Sequence, residues 1–161
     1  MKLKTTLGLL FAGILLGIST SFTSRDSYEP IFIKRADLAH SVTYSTEDRV
    51  LERPGKIYYK SPYLFINEKY KGVHIIDNSN PSSPQKVGFV AVPGCLDMAV
   101  KGTILYVDNA IDLVAFDLET KQVTQRVESV FPEPSHPHNL EYRFKDKPED
   151  MIVVEWRVTN H

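Results

Sequence analysis

The chain has 161 residues, of which 42% are hydrophobic and 24% charged, the balance of a globular domain and not of a disordered one. Nineteen Lys and Arg against twenty Asp and Glu leave a formal net charge of −1, which argues against a nucleic-acid binder driven by bulk charge. A single cysteine excludes an intrachain disulfide framework and any multi-cysteine zinc or iron–sulfur site, and no cofactor is expected.

The first element is an address. Met1-Lys2-Leu3-Lys4 is a short basic start, and an apolar run from Leu7 to Ile18 follows, then Ser19-Thr20-Ser21. Basic region, apolar region and small residues in that order predict a secretory signal over residues 1–21. A cut after Ser21 puts Ser19 and Ser21 at the small-residue positions; a cut after Ser24 is the alternative. The run is shorter than the roughly 20 apolar residues that span a bilayer, so membrane attachment is expected only if the leader stays uncleaved. A lipoprotein would need a cysteine where Ile18 and Ser19 stand, and the only cysteine is Cys95. The expected location is therefore periplasmic or cell-surface, without a lipid anchor.

Residues 22–53 read as a mixed polar lead-in with one apolar island, Ile31-Phe32-Ile33. Residues 35–42 fit a helix of two turns, because Leu38 and Val42 stand four apart on one face.

From Pro54 the pattern becomes short strands divided by turn signals. Strands are expected at 56–60, 63–67, 73–77 and 86–92, with Asn78-Ser79-Asn80-Pro81-Ser82-Ser83-Pro84 as a strong turn. The grammar then repeats. Tyr63-Leu64-Phe65-Ile66-Asn67 matches Ile104-Leu105-Tyr106-Val107-Asp108, Val73-His74-Ile75-Ile76-Asp77 matches Leu113-Val114-Ala115-Phe116-Asp117, and a fourth strand is expected at 123–130. Pro93-Gly94 is taken as the second copy of Pro54-Gly55. Four strands in about 40 residues is the period of a propeller blade. The expected fold is all-β and propeller-like: two four-stranded antiparallel blades at 54–92 and 93–130, and a partial third at 131–161 with a strand at 151–156 and another at 139–144. Inner strands apolar on both faces and an outer strand of mixed polarity fit sheets that must seal one another.

Few residues carry chemistry. Asp77 and Asp117 each close a third strand and are read as turn-makers that accept backbone N–H bonds, and Gly55 and Gly94 as turn glycines of the repeat. Asp97 falls at an innermost-strand position, where an acid can line a channel, and is the weak ligand-binding candidate; a salt bridge is the plainer reading. His136 and His138 lie two apart and point the same way if extended, which makes them weak metal candidates with Glu133 or Glu141 as a third ligand. Asp108 and Asp112 sit in a loop that lacks the ladder of a calcium site, so a solvated or turn-forming role is expected. Cys95 reads as a small buried hydrophobe, the alternative being a reactive or interchain-paired thiol. Tyr58, Tyr59, Tyr63, Phe65, Tyr70 and Phe89 read as core aromatics, with a carbohydrate-stacking face as the sharper option. No nucleophile elbow, phosphate loop or zinc-protease motif is present.

The third-strand strings Gly72-Val73-His74-Ile75-Ile76-Asp77 and Leu113-Val114-Ala115-Phe116-Asp117, with the wider run from Pro54 to Lys86, resemble the LVIVD repeat of bacterial and archaeal surface proteins, most closely Bacteroidetes members. The likeness covers about residues 28–156. It implies an exported β-propeller and no reaction. Relatives of this kind run to several hundred residues, so the chain reads as a short or truncated member, or one that completes its stack by self-association through open sheet edges. The expected function is a non-enzymatic module binding a protein or small ligand at the cell envelope, with no nucleic-acid partner. Two alternatives stand beside it: a hydrolase or lyase acting on envelope glycans from a channel site, and a fragment without independent function.

Overall fold

The computed structural model describes residues 27–138 and 147–159. The predicted leader, 1–21, and the strand expected at 139–144 lie outside them. Among the described residues strand dominates, in eleven segments beside one short helix: β1 (Ser27–Lys34), α1 (Arg35–Leu38), β2 (Thr43–Ser45), β3 (Pro54–Lys60), β4 (Tyr63–Glu68), β5 (Gly72–Asp77), β6 (Gln85–Ala91), β7 (Met98–Lys101), β8 (Ile104–Asn109), β9 (Asp112–Asp117), β10 (Gln122–Val127) and β11 (Met151–Thr159). All pairings are antiparallel. Sheet 1 has the order β2-β6-β5-β4-β3, sheet 2 the order β10-β9-β8-β7, and β1 pairs with β11.

The two larger sheets are copies of one unit. The β4–β5 ladder runs from Tyr63 opposite Asp77 to Glu68 opposite Gly72, and the β8–β9 ladder from Ile104 opposite Asp117 to Asn109 opposite Asp112. Only the turn differs: Lys69, Tyr70 and Lys71 in the first, Ala110 and Ile111 in the second. The inner strands align Ile57, opposite Ile66, with Met98, opposite Val107. On this register Gly55 corresponds to Leu96. Pro93-Gly94 is thus not the counterpart of Pro54-Gly55: Pro54 pairs with Glu68 inside β3, whereas Pro93 and Gly94 belong to the link between sheets. Gly94 is held there at φ +84°, with the Ala110 backbone where a Cβ would stand.

The sheets stack front to back. Phe65, Val73, Ile75 and Val90 of sheet 1 form one core with Val100, Leu105, Val107, Val114 and Phe116 of sheet 2. Phe65 and Ile75 correspond to Tyr106 and Ala115, which lie on the far side of sheet 2, because the pleat sends alternate residues to opposite faces. Each sheet therefore turns a different face to the junction. This is compatible with a propeller-like arrangement, and among the described residues no closed propeller is formed. Burial is complete at Leu105, Val73 and Val90, each contributing about 2 kcal/mol from water exclusion. Tyr58 Oη donates to the Val100 carbonyl at 3.1 Å, tying the inner strands together.

The lead-in departs from expectation. The helix makes a single turn, Arg35–Leu38, and the chain then extends into β2, which adds a fifth strand to sheet 1 beside β6. The β-branched pair Val42-Thr43 favours extension, and the open edge of β6 supplies a ladder that a second helical turn lacks. Leu38 and Val42 consequently serve different cores. The apolar island forms the middle of β1, and its partner is β11, the strand expected at 151–156. That pair lies across the turn ends of both sheets. Ile152 and Val154 pack with Leu38 and Ala110, and the carboxylate of Glu155, a buried residue, takes Arg53 at 3.2 Å and Lys71 at 2.6 Å. A second anchor is Asp112, fully buried, which takes Arg35 at 2.7 Å and Arg126 at 2.8 Å. The fourth strand of the second unit stops at Val127, not at 130, because the Ser129 N–H turns in to donate to Asp112 at 3.0 Å.

Leu105→Ala should lower the unfolding free energy by about 3 kcal/mol. Val87→Ala, on the partly exposed outer strand, should cost under about 1 kcal/mol; urea denaturation of both variants checks the front-to-back core.

Candidate functional site

One concavity of the described surface lies on the far face of sheet 2. A cleft of about 460 Å³ opens between β7–β9 and the segment 131–135, with Tyr106, Leu113, Phe131 and Pro134 among its apolar walls and Asp97, Asp108 and Glu133 as its acids. The residues come together for a local reason. After β10 the chain passes under sheet 2 as it passes under sheet 1 after β6: the Phe131 N–H donates to the Ile111 carbonyl at 3.0 Å, as the Val92 N–H donates to Lys71 at 2.8 Å.

Each acid of the cleft is already engaged. Asp97 pairs with Lys56 at 2.5 Å and accepts the Met98 N–H at 2.7 Å. Lys56 and the Met98 amide hold its carboxyl below the ordinary value. Asp108 Oδ1 accepts the N–H groups of Leu96 at 2.9 Å and Asp97 at 2.8 Å, clamping the start of β7. Burial nevertheless pushes the Asp108 carboxyl above its ordinary value, outweighing those hydrogen bonds. Glu133 is paired with Lys147.

A second polar group lies on the far face of sheet 1. His74 Nε2 and Glu68 Oε2 are 2.7 Å apart, and both side chains are only 3% exposed. The His74 ring meets Phe89 edge-on at 4.7 Å, and the Arg49 guanidinium lies over Phe89 at 4.6 Å. Burial acts to raise Glu68, but His74 and the Glu52 N–H override it and leave the carboxyl below its ordinary value. At Asp112 burial is likewise overcome, by Arg35, the Ser129 N–H and Arg126.

The residues singled out in the sequence are dispersed. Asp77 Oδ1 accepts the Ser79 N–H at 2.8 Å and its hydroxyl at 2.6 Å, and Asp117 Oδ1 accepts the N–H groups of Glu119 at 2.7 Å and Thr120 at 3.2 Å. Both close turns at the end opposite β11. Gly55 approaches the Asn67 side chain so closely that a Cβ would stand 2.4 Å from Oδ1. His136 and His138 flank Tyr28 edge-on, at 5.8 and 4.9 Å, and His136 also meets Trp156 at 4.7 Å. The His138 N–H donates to His136 Nδ1 at 3.2 Å, so that nitrogen serves the loop. Glu141 lies outside the described residues, and among the described ones no three His, Cys, Asp or Glu side chains converge as a metal site. Cys95 is fully buried, and burial pushes its thiol well above the ordinary value.

Two expectations are corrected. Asp112 is neither solvated nor a turn-maker but a buried anion between two arginines, and Asp108 braces a different segment from its own loop. Of the aromatics, Phe65 and Phe89 are buried, whereas Tyr59 is 60% exposed and Tyr58 and Tyr63 remain open at one side. Sequence reasoning missed Asn67, Glu68, His74 and Glu155. Their signal was available: a polar residue interrupting an apolar strand, as in Val73-His74-Ile75 and Val154-Glu155-Trp156, marks a group that must find a buried partner.

Asp108→Asn keeps one oxygen for both backbone donors and should change stability at neutral pH by under about 1 kcal/mol. Because burial raises this carboxyl, its contribution is full below the ordinary value of 3.8 and declines as pH rises through the higher native value. The variant should lack that decline, which thermal unfolding followed from pH 4 upward checks. Comparison with known protein families, curated proteins and solved structures finds no match to this chain.

Proposed function

We propose that the chain is an exported, LVIVD-type repeat module of the cell envelope that acts by binding and not by catalysis, its contact surface being the far face of sheet 2. The observation that carries this reading is the state of the cleft. It offers an apolar wall backed by a stacked, rigid core, while its carboxylates are committed to Lys56, Lys147 and the amides of Leu96, Asp97 and Met98. A rigid sheet scaffold presenting a link segment over an apolar face is the usual form of a recognition site. The repeat strings of the third strands and the leader expected over residues 1–21 support work outside the cytoplasm.

One observation favours a second reading. Asp97 is held below its ordinary value and Asp108 above it at the same cleft, the divergence that a general acid and a general base require. A hydrolase or lyase acting on envelope glycans would use such a pair.

Two measurements test the proposal. Mass spectrometry of the protein from fractionated cells should find it in the envelope or periplasmic fraction, beginning at residue 22; a cytoplasmic protein retaining Met1 would overturn export. Incubation with peptidoglycan-derived glycans should release no new reducing ends or unsaturated products. A product that disappears with Asp108→Asn would replace binding by catalysis.

A further inference from the structure

Two faces of the stack have no sheet against them among the described residues, and the repeat says what each is shaped to meet. On sheet 1 the far face carries Ile57, Tyr59, Leu64, Ile66 and Ile76. By the shared register these correspond one for one to Met98, Val100, Leu105, Val107 and Phe116, the residues with which sheet 2 builds the central core. Ile57 is 65% and Tyr59 60% exposed, whereas Val100 and Leu105 are 7% and 0% exposed. On sheet 2 the far face carries Ala99, Tyr106 and Ala115, the counterparts of Tyr58, which reaches the Val100 carbonyl, and of Phe65 and Ile75, with which sheet 1 builds its half of the core. Tyr106 is 36% exposed where Phe65 is 2% exposed. The inner-strand part of one half of the existing junction is thus repeated, open, on each outer side, while Glu68, His74 and Phe89 on the outer part of the sheet 1 face are buried, with Arg49 over Phe89, and Ala115 on the sheet 2 face is buried.

We infer that the occupant of these faces is a second copy of the chain, with the far face of sheet 2 in one copy packing on the far face of sheet 1 in the next. The inference rests on the binding reading for the sheet 2 face and names its partner. Three observations support it. The faces are unlike but complementary, as the internal junction already demonstrates, so the contact is heterologous and closes only as a ring. Charge favours it: Lys56 and Asp97 hold corresponding inner-strand positions and pair at 2.5 Å within the chain. Repetition places Asp97 of one copy toward Lys56 of the next, giving alternate signs around the inner edge. The link 131–135 leaves the face passable, because its amide anchor at Ile111 matches the anchor of the internal link at Lys71. Two sheets per copy give rings of even blade number, and the four to eight blades of ordinary propellers require two to four copies.

Light scattering on the eluting full chain, with sedimentation velocity beside it, tests the inference. The wild type should run as a closed assembly of two to four copies. Ile57→Lys blocks one face and Tyr106→Lys the other, both at exposed positions, and each variant alone should run as a monomer with the circular dichroism of the wild type. Mixed in equal amounts, the two variants should form a 1:1 complex, because each retains the face the other has lost, and this complex should not grow further. Val158→Lys, on the distant β11, should assemble as wild type does. Tyr59→Lys and Ala99→Lys provide a second pair should either first variant misfold. A wild type that is monomeric throughout its soluble range overturns the inference. So does assembly indifferent to these substitutions, or a mixture that stays monomeric. None of these results bears on export or on glycan cleavage, so failure here is distinguishable from failure of the binding reading.

Discussion

The packing of Phe65, Val73 and Ile75 against Leu105, Val107 and Phe116 governs the rest of the molecule. A four-stranded sheet of short, apolar inner strands cannot remain in water alone, since each strand is greasy on both sides of the pleat. Stacking a second sheet removes one face of each from water and leaves the other two. Because the copies point the same way, the surfaces left over are not a matched pair of identical faces but the two different halves of a junction. Open stacks of this kind are completed by more of the same unit, whether within one chain or between chains.

Polar anchoring sets how the remaining chain is attached. Asp112 and Glu155 are carboxylates with almost no exposed surface, and burial of such a group is unfavourable unless cations and N–H donors meet it. Arg35 and Arg126 meet the first; Arg53 and Lys71 meet the second. The Arg35, Arg53 and Lys71 contacts join segments far apart in sequence, so the lead-in and β11 are located by charge as much as by apolar contact. The β1–β11 pair lies across the turn ends as a result, where Ala110 and Ile111 offer it an apolar seat.

The same physics explains why the cleft is a surface and not a reaction centre on the proposed reading. Asp97, Asp108 and Glu133 hold β7 and the exit link through Lys56, the Leu96 and Asp97 amides and Lys147. What remains open is the aromatic edge of Tyr106 and the aliphatic wall around it, a surface for another surface.

Strand positions and the internal repeat were legible in the sequence because both depend on short-range pattern: alternation, β-branched runs and turn residues such as Asn78-Ser79-Asn80-Pro81. The turn geometry of Asp77 and Asp117 is of the same local kind. What the sequence alone left undetermined was every long-range partner. Thr43–Ser45 became a fifth strand because β6 had an unfilled edge, and Ser27–Lys34 found its mate more than a hundred residues away in β11. Asp112, in a loop that reads as solvated, is buried because the distant Arg35 and Arg126 of the neighbouring strand converge on it. Even the repeat's phase shifted, Gly94 falling in the link where Gly55 falls in a strand. Local pattern decides which segments extend; only burial and charge pairing in three dimensions decide which of them meet.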